Sequence, residues 1–342
     1  MDDIKERLTR YSITEPFFKE YPMVGEIIGH GTYTSVYKMH SKNDKVAVVK
    51  VIPLSIYKTD DKYKEIIKKF DNEFSRLEKI KGQLLLIPLK YEIRSWPDGN
   101  GTDILILMEF YELNLKTELN NYNFDFSEEN IIDTGLRLCE AVEILHRQKV
   151  THGNIKPENI FIFHSKESDE SKYILADFVI TQPEHVSIKS QEAINATSKY
   201  AAPEIFLREK HKSSDIYSIG ILLYQLMNNN LVPFELEIAE DKKAQIKEAI
   251  TRRKDGEEIP APHHCDKYST LSDIILKACA YKKEKRYKSI KKLKASLKGA
   301  KKGKEKVPRG DIIRAIAAGL LLILVLAGSI YFFVVIWPTV PN

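Results

Sequence analysis

Apolar residues recur with two different periods along this 342-residue chain. In the first half, residues 23–38, 45–52 and 104–110 are rich in β-branched and apolar side chains, and polar turn residues such as 41–44 separate them. These runs predict β-strands. Residues 63–81 interrupt them with apolar side chains at spacings of three and four, which predicts one amphipathic helix.

The second half follows a helical period. Ser127 is a suitable N-cap for a long helix that ends near Gln148. Further helices are predicted at residues 213–227, 242–251, 271–280 and 290–297. A strand-rich part followed by a helix-rich part predicts an α+β fold.

The C-terminal part of the chain is apolar throughout. Residues 315–337 carry no charge, and 23 helical residues at ~1.5 Å each span the ~30 Å hydrocarbon core of a bilayer. Basic residues precede this segment and Trp337 is suited to anchor its far end at the interface. We therefore expect a single-pass membrane protein whose bulk is cytoplasmic and whose residues 338–342 form a short external tail.

The net charge of +5 is unevenly distributed. Residues 291–314 carry a balance of +8, which leaves the rest of the chain at −3. The basic segment thus predicts contact with anionic lipid headgroups rather than with nucleic acid. Residues 298–308 contain Gly and Pro without an apolar period and predict a flexible linker. The charged N-terminus predicts no cleaved signal peptide, and three scattered cysteines predict ordinary reduced thiols.

Several motifs that carry chemistry follow one another in the chain. Gly29-His30-Gly31-Thr32-Tyr33-Thr34-Ser35-Val36 is a glycine-containing turn between strand-like runs, where missing Cβ atoms allow backbone N–H groups to approach a phosphate. Residues 46–50 form the strand Val-Ala-Val-Val-Lys, and residues 152–159 read His-Gly-Asn-Ile-Lys-Pro-Glu-Asn. Ala176-Asp177-Phe178-Val179 and Ala202-Pro203-Glu204 follow.

These motifs, in this order, resemble the Hanks-type serine/threonine protein kinases over residues 21–297. The resemblance implies a bilobal kinase-like fold, with a β-rich N-lobe and hinge at 21–111 and a helical C-lobe at 112–297. An N-terminal extension (1–20), a basic juxtamembrane linker (298–314) and the membrane helix (315–337) complete the predicted organisation. Residues 214–230 look especially like bacterial members of the family.

The same resemblance implies that ATP and Mg²⁺ bind between the lobes and that a cytosolic protein is the substrate or partner. It also implies that residues 150–159 form the catalytic loop, that Asp215 holds backbone N–H groups of this loop and that Arg286 pairs with Glu204. Glu73 is favoured over Glu65 and Glu78 as the partner of Lys50, because only Glu73 is flanked on its own helical face by apolar residues. The implied catalytic positions are Asn154, Lys156 and Thr197, and the implied metal ligands are Asn159 and Asp177. The implied nucleotide-binding residues are Gly29, Gly31, Val36, Val48, Lys50, Glu73, Met108, Glu109, Tyr111 and Phe161.

The sequence departs from the family pattern at four positions. Asn154 replaces the proton-accepting Asp, Thr34 the third glycine of the phosphate loop, Val179 the glycine after Asp177-Phe178, and Gly153 the arginine that binds a phosphorylated activation segment. An amide cannot accept the proton of a substrate hydroxyl. The expected function is therefore an ATP-binding pseudokinase. A slow but active serine/threonine kinase and a nucleotide-free signalling scaffold are the alternatives.

Overall fold

The computed structural model divides into one compact unit, Met1–Leu297, and a second unit, Lys298–Asn342. The residues it describes are 2–14, 16–30, 34–54, 61–80, 84–97, 99, 101–121, 123–164, 171–177, 199–207, 209–263 and 270–305.

A five-stranded antiparallel sheet forms the first lobe, in the order β1-β2-β3-β5-β4. The interior strands β3 and β5 are buried along most of their length, as expected for their uninterrupted apolar runs. The strands are β1 (Met23–His30), β2 (Ser35–His40), β3 (Val46–Pro53), β4 (Lys90–Ser95) and β5 (Thr102–Glu109).

Two helices accompany this sheet in the part of the first lobe that the structure describes. Helix α2 (Asp61–Leu77) corresponds to the helix predicted at residues 63–81 and buries Phe70, Phe74 and Leu77. Helix α1 (Asp2–Thr14) was not predicted from the sequence. Leu8 of α1 joins Phe18, Tyr37 and Met39 in one buried cluster, so the N-terminal extension contributes to the core of the first lobe.

The second lobe is mainly helical. Helix α4 (Glu128–Arg147) begins where predicted, since Ser127 Oγ accepts a hydrogen bond from the Asn130 backbone N–H at 3.3 Å, and Gln148 follows its last residue. Its other helices are α3 (Leu115–Asn120), α5 (Lys212–Met227), α6 (Lys242–Lys254), α7 (Thr270–Ala278) and α8 (Ile290–Glu305).

Helix α5 is buried at every position from Ser214 to Met227 and contacts both α4 and α7. A helix that is apolar on nearly all sides belongs in the centre of a lobe. Gly220 permits the close approach to α7, because a Cβ at this position would lie 2.8 Å from Cys279 Sγ.

The predicted flexible linker is wrong for residues 298–305, because α8 continues to Glu305. Lys, Ala and Glu have high helix propensity and extend the helix despite two glycines in this stretch. The predicted membrane helix at 315–337 lies outside the described residues. Among the helices that the structure does describe, none is both long enough and apolar enough to cross a membrane.

Backbone hydrogen bonds join the two lobes at one side of the cleft between them. The two-stranded sheet of β6 (Ile160–His164) and β7 (Ser171–Leu175) lies on the second-lobe side. Leu86 donates a backbone hydrogen bond to Leu175 O at 2.9 Å, and Ile162 donates one to Leu113 O at 3.0 Å. The bilobal arrangement expected from the sequence is therefore present, and Lys50 of β3 contacts Asp177, which follows β7.

Candidate functional site

Lys50 is at the centre of the candidate site. It lies on β3 opposite Val36 of β2 and Ile106 of β5, and it is buried. A buried ammonium group requires a charged or hydrogen-bonding partner. Its Nζ forms an ion pair with Asp177 Oδ1 across the cleft. Burial favours the neutral acid, but the Lys50 ammonium outweighs this effect and lowers the pKa of Asp177, so Asp177 is an anion.

The catalytic loop is held in place by Asp215 at the start of α5. Asp215 Oδ1 accepts from the Gly153 backbone N–H at 2.7 Å, and Oδ2 accepts from the His152 N–H at 2.9 Å. The predicted role of Asp215 is thereby confirmed. His146 Nε2 also lies 2.7 Å from Oδ2, a contact that the sequence did not predict. Gly153 has φ +75°, a conformation that favours glycine and disfavours the arginine it replaces.

His152 joins the catalytic loop to the segment that carries Asp177. Burial lowers its pKa to about 4, so the ring is neutral near pH 7. Its Nδ1 accepts from the Asn154 backbone N–H at 3.1 Å, which leaves Nε2–H to donate to Ala176 O at 3.0 Å. His152 therefore has a structural role.

Asn154 contacts Asp177 directly. Its Nδ2 donates to Asp177 Oδ2 at 2.8 Å, and its backbone carbonyl accepts from Asn159 Nδ2 at 2.8 Å. Ala176 N–H in turn donates to Asn159 O at 2.8 Å. Asn154, Asn159 and Asp177 are therefore brought together with Lys50. Among the other catalytic positions, Lys156 is half-buried and its charge helps to lower the pKa of Asp177, whereas Thr197 lies outside the described residues.

Asp177 and Asn159 offer oxygen atoms suited to a divalent cation such as Mg²⁺. Each carboxylate oxygen of Asp177 accepts one of the two contacts described above, and an ionised carboxylate has about four acceptor positions. Asn159 directs its Nδ2 at a carbonyl, which leaves its Oδ1 as the ligand atom. No cluster of three or more His, Cys, Asp or Glu side chains suited to a metal occurs within the described ranges. One carboxylate and one amide oxygen fit a cation whose other ligands are phosphate and water.

The predicted nucleotide-contacting residues lie along both sides of the cleft. Gly29 pairs with Val36, and Val48 pairs with Met108. The rings of Tyr111, after β5, and Phe161, on β6, have centroids 6.0 Å apart. With Met108 they pack on a cluster of Leu86, Ile174 and Ala176.

The remaining nucleotide positions lie at the ends of this surface. Glu109 is exposed and accepts a hydrogen bond from the Tyr111 hydroxyl at 2.8 Å. Burial and this bond raise the pKa of Tyr111 to about 12. Glu73 is half-buried on α2, between the positions of Phe70 and Leu77. Gly31 lies outside the described residues. The assignment of these residues to nucleotide binding stays a prediction.

A buried ion pair stabilises the second lobe. Arg286 Nη1 and Nη2 donate to Glu204 Oε1 and Oε2 at 2.7 and 2.8 Å, so the predicted pair is confirmed.

The sequence also matches the family model described as "Protein kinase domain" over residues 23–296. The chain belongs to the protein kinase family. We therefore compare the site with the chemistry of protein kinases.

Individual kinases resemble this chain at low identity. A "Probable serine/threonine-protein kinase" of Clostridium perfringens is 23% identical over 81% of this chain and 38% of its own length. The "Membrane-associated tyrosine- and threonine-specific cdc2-inhibitory kinase wee-1.3" of Caenorhabditis briggsae is 27% identical over 64% of this chain and 31% of its own. The "Calcium/calmodulin-dependent protein kinase type 1" of Macrobrachium nipponense is 29% identical over 58% and 59%, respectively. The chain thus spans about a third of the length of the first two kinases.

Proposed function

We propose that this protein is a membrane-anchored pseudokinase that binds ATP and Mg²⁺ and signals through a cytosolic protein partner. One observation carries the proposal. The Asn154 amide nitrogen lies 2.8 Å from the anionic Asp177 carboxylate, so the side chain acts as a hydrogen-bond donor where the family has a proton acceptor. General-base assistance typically contributes ~10²–10⁴-fold to a rate. Its loss predicts very slow transfer to a protein hydroxyl.

The binding half of the site supports the nucleotide part of the proposal. Lys50 is buried on β3 and faces the metal-binding carboxylate of Asp177. Lys156 adds a second positive charge near the same group. Positive side chains at this place attract the phosphates, while Val48, Met108 and Phe161 offer apolar contacts for a base. The Mg²⁺ ion, held by Asp177 and Asn159, would neutralise phosphate charge.

The membrane part rests on the sequence. Residues 315–337 are an uncharged apolar segment preceded by basic residues, which favours a cytoplasmic kinase-like domain and contact with anionic lipid. One relative is named as membrane-associated. We expect the full chain to sediment with membranes after alkaline carbonate washing, and a chain ending at residue 314 to be released. Release of the full chain would contradict anchoring.

Phosphotransfer and ATP binding are to be measured on the same detergent-solubilised full chain. We expect ATP to bind with Mg²⁺, Lys50→Met to abolish this binding, and the exposed control Lys42→Met to retain it. Transfer of labelled γ-phosphate by the native chain should not exceed that of Lys50→Met.

Two results would favour the alternatives. Phosphotransfer by the native chain that Lys50→Met removes would identify a slow serine/threonine kinase, since phosphoryl transfer depends largely on positioning and charge. Absence of ATP binding together with intact partner binding would identify a nucleotide-free scaffold. A large gain of activity in Asn154→Asp would show that the remaining site is competent.

A further inference from the structure

Asp177 is clasped from two sides by this chain's own donors. We define the Asp177 clasp as Lys50, Asn154 and Asp177. The Lys50 ammonium contacts Oδ1, and the Asn154 amide contacts Oδ2 at 2.8 Å. The three residues come from β3, from the catalytic loop and from the segment after β7. The clasp therefore joins the two lobes through side chains of the protein itself.

Hydrogen bonds to its backbone hold Asn154 in place. Asn154 is only 7% exposed, and its backbone N–H and carbonyl are held by His152 and Asn159. The same His152 ring donates to Ala176 O, next to Asp177. The amide is thus fixed at its own backbone, and its partner is fixed one residue away. A side chain supported in this way is positioned before any ligand arrives.

An aspartate at position 154 could not form this contact. Asn and Asp have the same shape, so Asp would place a carboxylate oxygen at the position of Nδ2, about 2.8 Å from Asp177 Oδ2. Two carboxylates at this separation cannot both remain ionised unless a cation or a proton lies between them. Asn154 replaces the repulsion by a charge-assisted hydrogen bond and removes one negative charge beside Lys50 and Lys156.

We propose that Asn154 replaces the divalent cation as the group that holds Asp177 in the cleft, so that the protein binds ATP as the metal-free anion nearly as well as the Mg²⁺ complex. Asp177 and Asn159 keep oxygen atoms for Mg²⁺, so the cation is tolerated but not required. This inference rests on the proposed nucleotide binding. It adds that the amide at position 154 sets the cation dependence.

The test is equilibrium binding of ATP to the detergent-solubilised full chain, once in EDTA and once in excess Mg²⁺. The measured quantity is the ratio of the Kd in EDTA to the Kd in Mg²⁺. For the native chain we expect a ratio within about threefold of one. In Asn154→Asp, the loss of a hydrogen bond to a charged group and the added repulsion should raise the ratio by at least about tenfold. Asn43→Asp, the same change on an exposed turn, should leave the ratio at the native value.

A second measurement does not depend on ATP. When Mg²⁺ is added without ATP, the midpoint of thermal unfolding should not change for the native chain or for Asn43→Asp. The midpoint should rise for Asn154→Asp, because its two facing carboxylates would bind the cation. If Asn154→Asp does not fold, Asn154→Ala serves instead. This variant removes the amide donor without adding a charge, so the ratio of the Kd in EDTA to the Kd in Mg²⁺ should rise above the native value.

The outcomes separate the two proposals. ATP binding by the native chain that requires Mg²⁺ would overturn the inference and leave the proposed function standing. The same ratio in native and Asn154→Asp would also overturn it, as would a midpoint of Asn154→Asp that Mg²⁺ alone leaves unchanged. No ATP binding in either condition would overturn both proposals.

Discussion

The buried pair of Arg7 and Asp103 should hold the N-terminal helix to the sheet. Arg7 Nε and Nη2 donate to the two carboxylate oxygens of Asp103 at 2.8 and 3.0 Å, and Tyr11 OH donates to Oδ2 at 3.2 Å. The Arg7 and Asp103 side chains are 6% and 1% exposed. The Arg7 guanidinium also lies 4.2 Å from the centroid of the Trp96 ring.

Asp103→Asn keeps the shape of the side chain and removes its charge. Arg7 then loses its carboxylate while remaining buried, and removal of one partner from a buried pair costs about 3–5 kcal/mol. This is a large part of the ~5–15 kcal/mol that stabilises a typical fold. With an unfolding entropy of ~2.1 cal/mol/K per residue, about 0.6 kcal/mol/K for ~300 residues, the midpoint of thermal unfolding should fall by roughly 5–8 °C.

Urea and thermal unfolding of the full chain, followed by circular dichroism, measure this loss. Glu6→Gln is the matched control, because it removes one negative charge from the exposed Arg10–Glu6 pair on the same helix. Such a pair contributes only ~0.2–0.5 kcal/mol. In a double-mutant cycle with Arg7→Met, the double variant should lose less free energy of unfolding than the sum of the losses of the two single variants. A cost of Asp103→Asn no larger than that of Glu6→Gln would refute the structural role assigned to α1.

Two further predictions concern the second lobe. Because the pKa of His152 falls from 6.5 to about 4 on folding, the unfolded chain binds a proton between these values and the folded chain does not. The contribution of neutral His152 to the free energy of unfolding is therefore fully present above pH 6.5 and is lost as the pH falls toward 4. Between these pH values, the difference in free energy of unfolding between the native chain and His152→Gln, measured in urea, should shrink by about 3 kcal/mol. A difference that does not change with pH would contradict this reasoning. Gly220→Ala should lower the free energy of unfolding by about 1–3 kcal/mol through overpacking against α7, whereas Gly299→Ala, with nothing within 4 Å of the added Cβ, should be neutral or raise it by up to ~1 kcal/mol. Equal urea midpoints for the two variants would be the contrary result.

The elements with a strong period were predictable from the sequence. Ser127 and Gln148 bound a long helix in both the pattern and the structure, because a capping side chain and an apolar stripe are local signals. Helix α1 was missed because its first residues are charged, although Ile4, Leu8 and Tyr11 lie at the helical spacings of four and three. Its partners, such as Asp103, lie about a hundred residues away, and pairing over that distance leaves no local signal.

The site was predictable to the extent that it follows motifs. Lys50, Asn154, Asn159 and Asp177 are brought together by the fold, but the contacts among them were not foreseen. The pairing of Lys50 with Glu73 stays a prediction, and the contact of the Lys50 ammonium with Asp177 was not among the expectations. The replacement of Asp by Asn at position 154 was visible in the sequence. Its direction as a donor to Asp177 could be read only from the three-dimensional arrangement.

The groups that build the catalytic loop differ from the group that would perform the chemistry. Asp215 and His152 hold the backbone of the loop through N–H groups and carbonyls, and none of these contacts involves the Asn154 side chain. Exchange of the proton acceptor for an amide therefore leaves the loop's supports in place. The amide also gives the loop an attractive contact to Asp177, where a carboxylate would repel it. The substitution Asn154→Asp should consequently recover a proton acceptor at the expense of metal-free closure of the cleft, so catalysis and cation-independent binding cannot both be at their best with one residue at this position.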